Sequence, residues 1–349
     1  MARPSPPDAA VTVALDALGA ERGADALVAG ARAAAADGIR LRVFGNPAEL
    51  SRLVGAAGIE VVEAGERITN DEEPVRAVRE RPGASIVRAA ADVAEGRSQA
   101  VASAGATGAT MTAALFALRR LRGVYRPALA VQLPAIAAER PTLLLDAGAN
   151  ADARTQHLVQ FAHLGSTFAE AVLGVAAPRV ALLSVGEEAK KGSAMVVEAH
   201  ARLAGRGALN FVGNVEGRDL LGGAADVVVT DGFTGNVALK TMEGTAKAVG
   251  GAVGEAARSG PVAALGGLML RPALGGLRRS TDPDQTGGAI LLGLRGVAVV
   301  AHGSSGPDGI ANAVRLAARS VRERAVERSA ELLESSGEAR GGDRDPVAP

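Results

Sequence analysis

The chain has 349 residues, and its 38 Lys and Arg balance 38 Asp and Glu, so nothing points to nucleic acid as a main partner. It has no cysteine, which excludes thiol catalysis, disulfides and cysteine-ligated metals and fits a reducing, cytoplasmic setting. One Tyr, six Phe and no Trp make a base-stacking surface improbable, while 45 Gly fit tight turns and close helix-to-sheet contacts.

Residues 1–10 carry three prolines and no apolar stretch of signal-peptide length, and read as a flexible arm. Residues 11–334 read as one large α/β domain. A strand over Val11 to Leu15 leads through Asp16-Ala17-Leu18-Gly19 to a helix from about Gly23 to Asp37. A strand at Leu41 to Gly45, a helix from Pro47 and a strand at Ile59 to Glu63 continue the alternation. Helices from about Glu73 to Arg81 and Ser85 to Glu95 follow.

Residues 98–118 are uncharged, but their Gly, Ser, Thr and Ala content gives weak apolar drive, so a strand, loop and helix is the better account than a membrane span. Strands near Ala128 to Leu133 and at Leu143 precede a long helix from Asp152 to Gly174. His157 and His163 on it read as structural. Val180 to Val185 is a strand, and the loop after it brings Glu187, Glu188, Lys190 and Lys191 ahead of a helix from Ser193 to Leu203. Leu209 to Gly213 leads to Asn214, Glu216, Arg218 and Asp219, more chemistry than a turn needs.

The run Val227-Val228-Val229-Thr230-Asp231-Gly232-Phe233-Thr234-Gly235-Asn236 is a buried strand, a glycine-punctuated turn and a helix start. Free backbone N–H groups at such a helix start favour anions, Asn236 can cap, and Lys240 can reach back as a cation. Residues 261–279 read as an apolar, basic helical hairpin. Residues 289–300 hold the last strand, a helix runs from about Asp308 to Leu333, and 335–349 read as a disordered tail.

Loops beginning at Ser103, Asp146 and His302 share the grammar of the Asp231 loop: an apolar run, then a small, hydroxyl-rich or Asp/Asn-bearing glycine turn before a helix. With parallel neighbouring strands, all four would open on one sheet edge, where α/β proteins keep their ligands.

In order, Asp146-Ala147-Gly148-Ala149-Asn150, Gly186-Glu187-Glu188 with Lys191-Gly192, Phe211 to Asp219, Asp231 to Val237 and Ala301-His302-Gly303-Ser304-Ser305 resemble the PlsX-type phosphate acyltransferases. The resemblance implies synthesis of acyl phosphate from acyl-[acyl-carrier-protein] and inorganic phosphate for bacterial phospholipid synthesis. It implies a Rossmann-like, doubly wound, mostly parallel sheet of the isocitrate and isopropylmalate dehydrogenase-like type, a homodimer, and no nicotinamide or metal cofactor. The chain departs from that pattern at Ala20-Glu21 (usually Gly-Asp), at Ala106 (usually Asn) and at Ile290 (usually Pro).

Holding an anionic nucleophile beside a carbonyl that develops negative charge calls for backbone donors, helix ends and cations. Ser103, Thr107 and Gly108, with Asn236 and Lys240, are therefore expected to bind phosphate. Lys191, or His302 with Ser304 and Ser305, is expected to stabilise the oxyanion or protonate the departing thiolate. Asp146, Asn150, Glu216 and Asp231 are expected to orient these groups, and Asn214 joins the substrate-binding set. Residues 261–279 could meet an acidic protein such as acyl carrier protein, a second subunit, an anionic lipid surface as a peripheral contact, or the membrane acyltransferase acting next. Two rivals stand beside this reading: a short-chain phosphotransacetylase-like enzyme using acyl-coenzyme A, and a non-catalytic dimer that binds acyl carrier protein.

Overall fold

The computed structural model describes residues 10–136, 140–205, 207, 209–280 and 282–335. All but Ala10 of the proposed arm and all but Ser335 of the proposed tail lie outside the described residues. In chain order the elements are β1 (Thr12–Asp16), α1 (Gly23–Ala36), β2 (Arg40–Gly45), β3 (Ile59–Glu63), α2 (Pro74–Glu80), α3 (Ser85–Ala94), β4 (Ala100–Ser103) and α4 (Thr107–Leu118). Then come β5 (Ala128–Gln132), β6 (Leu143–Leu145), α5 (Thr155–Ala171), β7 (Val180–Leu183), α6 (Ala194–Ala204), β8 (Phe211–Val215) and β9 (Val227–Val229). The chain ends with α7 (Gly232–Ala256), α8 (Pro261–Ser280), β10 (Ala289–Leu292), β11 (Val297–Val300), α9 (Pro307–Arg322) and α10 (Ala325–Ser335).

All strands join one sheet in the order β3-β2-β1-β4-β11-β10-β5-β6-β9-β7-β8. Side chains alternate across it, so Val13, Leu15, Leu41 and Val43 face a layer of α1, α5, α6, α9 and α10. Ala14, Phe44 and Val101 face the opposite layer, to which α2, α3 and α4 contribute fully buried residues and α7 only partly buried ones. Gly30 of α1 lets α9 approach closely, since a Cβ there would meet the Pro307 carbonyl at 2.7 Å and Ile310 Cβ at 2.8 Å.

Strand direction overturns one expectation. β3, β2, β1, β4 and β11 are mutually parallel, and so are β6, β9, β7 and β8. Between the two sets, β10 pairs antiparallel with both β11 and β5, and β5 pairs antiparallel with β6. Those three reversals make the second set run opposite to the first. The Ser103 and His302 loops therefore leave one edge of the sheet, and the Asp146, Lys191, Glu216 and Asp231 loops leave the other. At about 4.8 Å per strand, the four steps from β4 to β6 add roughly 19 Å of lateral separation.

Three local expectations also change. Residues 261–279 are not a hairpin: they lie within the single helix α8, which follows α7 after a short connection. The helix from Pro47 reduces to a 3-10 turn at Ser51–Leu53. The helix from Asp308 to Leu333 divides into α9 and α10 at Arg324, whose φ of 54° an α-helix does not accommodate. The uncharged 98–118 stretch resolves into β4, its loop and α4, and among the described residues no helix is long and apolar enough to cross a membrane.

Candidate functional site

At the first edge, β1 and β4 end side by side, with Asp16 paired to Ser103 in register. Asp16 is buried and accepts hydrogen bonds from Ser85 Oγ at 2.6 Å and Ser103 Oγ at 2.7 Å. Burial pushes its carboxyl above the usual 3.8, against the pull of those hydroxyls and the Leu18 and Gly19 amides. Ser103 Oγ also accepts the Gly105 N–H at 2.9 Å and lies 3.2 Å from Thr110 Oγ1. Gly19 and Gly105 touch across the two loops, since a Cβ on Gly19 would lie 2.3 Å from Gly105 Cα.

Ser103 is thus buried and engaged with Asp16, Gly105 and Thr110, which hold the loop's shape. Thr107 is exposed and Gly108 half-buried at the start of α4. The residue before them, Ala106, offers no side-chain cap, so the first backbone N–H groups of this helix are left for an anion. α2, α6 and α7 differ, with Glu73 accepting Val75 N–H, Ser193 accepting Val196 N–H and Asp231 accepting Thr234 N–H, whereas α1, α3 and α9 share the lack of a side-chain cap. Ahead of α9, Asp284 accepts Gly306 N–H.

His302 sits beside this edge, because Ala301 N–H bonds the Ser103 carbonyl at 2.8 Å. The exposed ring's Nδ1 is 2.8 Å from Ser304 Oγ and 3.3 Å from Ser304 N. A backbone N–H aimed at Nδ1 makes that nitrogen the acceptor in the neutral ring and leaves Nε2–H as an outward donor. Ser305 is buried, and its N–H bonds the His302 carbonyl at 2.9 Å, which holds the turn. Glu21, one of the departures, packs on this turn: its N–H bonds the Gly303 carbonyl at 3.1 Å. Ile290 lies inside β10, paired with Val299 and Ala130. A groove of about 410 Å³ borders the edge, lined by Gln132, Pro134, Gln285, Asn312, Leu316 and Arg319 among others.

At the second edge Asp146 is fully buried and accepts five N–H bonds, from Leu129, Gly148, Ala149, Asn150 N and Asn150 Nδ2, at 2.7–3.1 Å. Burial raises its pKa, partly offset by those donors. Asn150 Nδ2 also bonds the Pro127 carbonyl at 2.8 Å. Gly232 N–H bonds the Asn150 carbonyl at 2.8 Å, and Gly235 rests directly on the Asp146 carbonyl. Asp231 caps α7 through Thr234 N and Thr234 Oγ1. Asn236 is exposed beside Gly148.

Lys240 does not reach back to the helix start. Its Nζ pairs with Glu243 at 2.7 Å, one turn further along. Lys191 is exposed, its backbone held by Glu188 and Ser184. Asn214 is a strut, bonding the Glu188 carbonyl at 3.0 Å and His200 Nδ1 at 3.0 Å. Glu216 joins Arg218 at 3.2 Å in a surface ion network with Glu187. Among the described residues no hydrogen bond or ion pair joins the two edges' loops, and no cluster of His, Asp and Glu could hold a metal ion.

The sequence matches the fatty acid synthesis protein family across residues 11–328. The chain belongs to that family. It is 44% identical over 318 residues to the phosphate acyltransferase of Heliobacterium modesticaldum, covering 89% of this chain and 94% of the relative. It is also 44% identical over 320 residues to that of Thermobifida fusca, covering 89% and 88%. The expected enzyme class is therefore borne out. Among solved structures it resembles the EutD phosphotransacetylase of Staphylococcus aureus, with a TM-score of 0.55 and 17% identity over 89% of this chain and 94% of that one. A branched-chain phosphotransacylase from Enterococcus faecalis gives 0.55 and 20% over 89% and 99%. At that identity the likeness supports the fold alone, and the expected α/β class stands.

Sequence reasoning missed Asp16, Ser85, Thr110 and Asp284. A carboxylate at the end of β1 mirrors Asp146 at the end of β6, and that recurrence was the available signal for Asp16. Ser85 gave none, since it meets Asp16 across 69 positions.

Proposed function

We propose that this family member transfers a fatty acyl group from acyl-[acyl-carrier-protein] to inorganic phosphate, releasing the carrier thiol and making acyl phosphate for phospholipid synthesis. The observation that carries the reading is the 44% identity to a phosphate acyltransferase of which 94% is covered. The uncapped start of α4 beside His302 supports it.

A phosphate oxygen attacks the thioester carbon, a tetrahedral oxyanion forms, the C–S bond breaks and the thiolate takes a proton. Phosphate is already anionic near neutral pH, so the site must supply donors more than a base. The Thr107 hydroxyl and the first N–H groups of α4, Gly108 among them, hold phosphate, with Asp16 and Ser103 fixing the loop. His302 Nε2–H, its ring set by Ser304, donates to the oxyanion or the leaving thiolate. Asn236, Lys240 and Lys191 leave the other edge, so they are assigned to the acyl donor in place of the phosphate. Asp146, Asn150, Asp231, Asn214 and Glu216 shape that second set of loops.

The exposed Val262, Leu265, Leu268, Met269 and Leu270 of α8 support a role for this helix in a homodimer or a peripheral membrane contact. The alternative donor to be distinguished is acyl-coenzyme A. Purified protein given each thioester with and without phosphate decides between them. Thiol release that ignores phosphate refutes both, and a preference for coenzyme A refutes the first.

A further inference from the structure

The segment between α4 and β5 carries exposed Arg119, Arg122 and Arg126. Exposed Arg154 stands before α5, and exposed Arg295 lies between β10 and β11. Backbone and side-chain bonds draw these into one shelf. Leu121 N–H bonds the Gly293 carbonyl at 2.9 Å, and Arg295 N–H and Nε bond the Arg119 and Arg120 carbonyls at 3.0 Å. Tyr125 N–H bonds Gln160 Oε1 at 2.9 Å, and Gln160 Nε2 bonds the Gly123 carbonyl at 2.8 Å. Burial, with the positive field of Arg126 and Arg154, holds the His157 ring below its usual value, which places both arginines near α5.

Among the described residues no ion pair engages any of these five arginines. By contrast Arg42, Arg179 and Arg202 each have a carboxylate. The neighbouring acids are few: Asp152 is exposed on the same loop, and Glu198 is already taken by Thr155 and Arg202. Other arginines, Arg40, Arg67 and Arg88 among them, also show no ion pair among the described residues, so what marks this ledge is that five such side chains gather on it with few acids beside them.

The ledge is also well placed. It lies at the carboxyl end of α4, whose amino end is the proposed phosphate cradle. The 12 residues of α4 span about 18 Å, a distance that an extended phosphopantetheine arm covers. Pro127, next to Arg126, accepts the Asn150 bond and so ties the ledge to the second loop cluster.

We propose that Arg119, Arg122, Arg126, Arg154 and Arg295 form the docking shelf for an acidic carrier protein, whose thioester arm then runs along α4 to the phosphate site. This rests on the function proposed above. Unpaired, exposed arginines on a rigid ledge suit steering and register with an acidic partner.

The test is fluorescence anisotropy of labelled acyl carrier protein with the full chain, alongside turnover on the carrier thioester and on a free acyl-pantetheine. Arg122→Glu with Arg126→Glu should raise the carrier Kd at least tenfold, flatten its salt dependence and leave acyl-pantetheine turnover unchanged. Arg122→Gln with Arg126→Gln should show a smaller change in the same direction and guards against misfolding of the reversed pair. An unchanged Kd in the Gln pair and the Glu pair overturns the shelf. So does an equal loss on both thioesters. A wild type that binds carrier but shows no phosphate-dependent thiol release would sink the proposed function while the Kd comparison still decides docking.

Discussion

Gly235→Ala is the sharpest probe of the second loop cluster. A Cβ there would lie 1.9 Å from the Asp146 carbonyl oxygen and 3.0 Å from Thr230 Cγ2. The first contact is with backbone, so no rotamer change relieves it; the α7 start or the Asp146 loop must move. Overpacking of this kind costs about 1–3 kcal/mol or more, against which alanine returns at most about 1 kcal/mol of helix propensity. Gly250→Ala on the same helix supplies the control, because nothing lies within 4 Å of its added Cβ. That variant should be neutral or more stable by up to about 1 kcal/mol. Urea unfolding followed by circular dichroism should separate the two by about 1–3 kcal/mol, and Gly235→Ala should also raise the KM for the acyl donor. Equal unfolding midpoints for the two variants would show that the β6 and β9 loops do not pack as described.

Asp16→Asn removes a carboxyl whose native pKa is raised above 3.8. The native state binds that proton more tightly than the unfolded chain, so its contribution is full below 3.8 and is lost as pH rises through the native value. The stability difference between wild type and variant should change with pH across that window, and parallel pH profiles would refute the burial argument. His302→Gln should lower kcat about a hundredfold or more while sparing phosphate KM, and steady-state kinetics with varied phosphate reads this directly. Lys191→Ala and Lys240→Ala should each lower kcat/KM for the donor about tenfold and leave phosphate KM in place; an unchanged donor kcat/KM removes that residue from the site. Ala106→Asn gives α4 the cap it lacks and should add about 1 kcal/mol of stability in thermal unfolding; an unchanged or lower midpoint would refute the capping argument.

Local pattern was legible from the amino acids. The β-branched triplet Val227 to Val229, the uncharged 98–118 stretch and the period of α5 each became the element their composition suggested, because side-chain alternation and helix period are properties of neighbours along the chain. Family membership was legible too, through short glycine-bearing runs in a fixed order. Direction within the sheet was not. Nothing in Ala289 to Leu292 or Ala128 to Gln132 marks which way a strand runs beside its partners, yet these two strands turn half the loops to the opposite edge. Asp16 with Ser103, 87 positions apart, and Arg295 with Arg119 likewise meet only through the sheet, since hydrogen-bond partners across a fold are set by register and crossover and leave no local trace. The sequence by itself determined which chemistry-bearing turns exist; tertiary structure decided which of them face the same substrate.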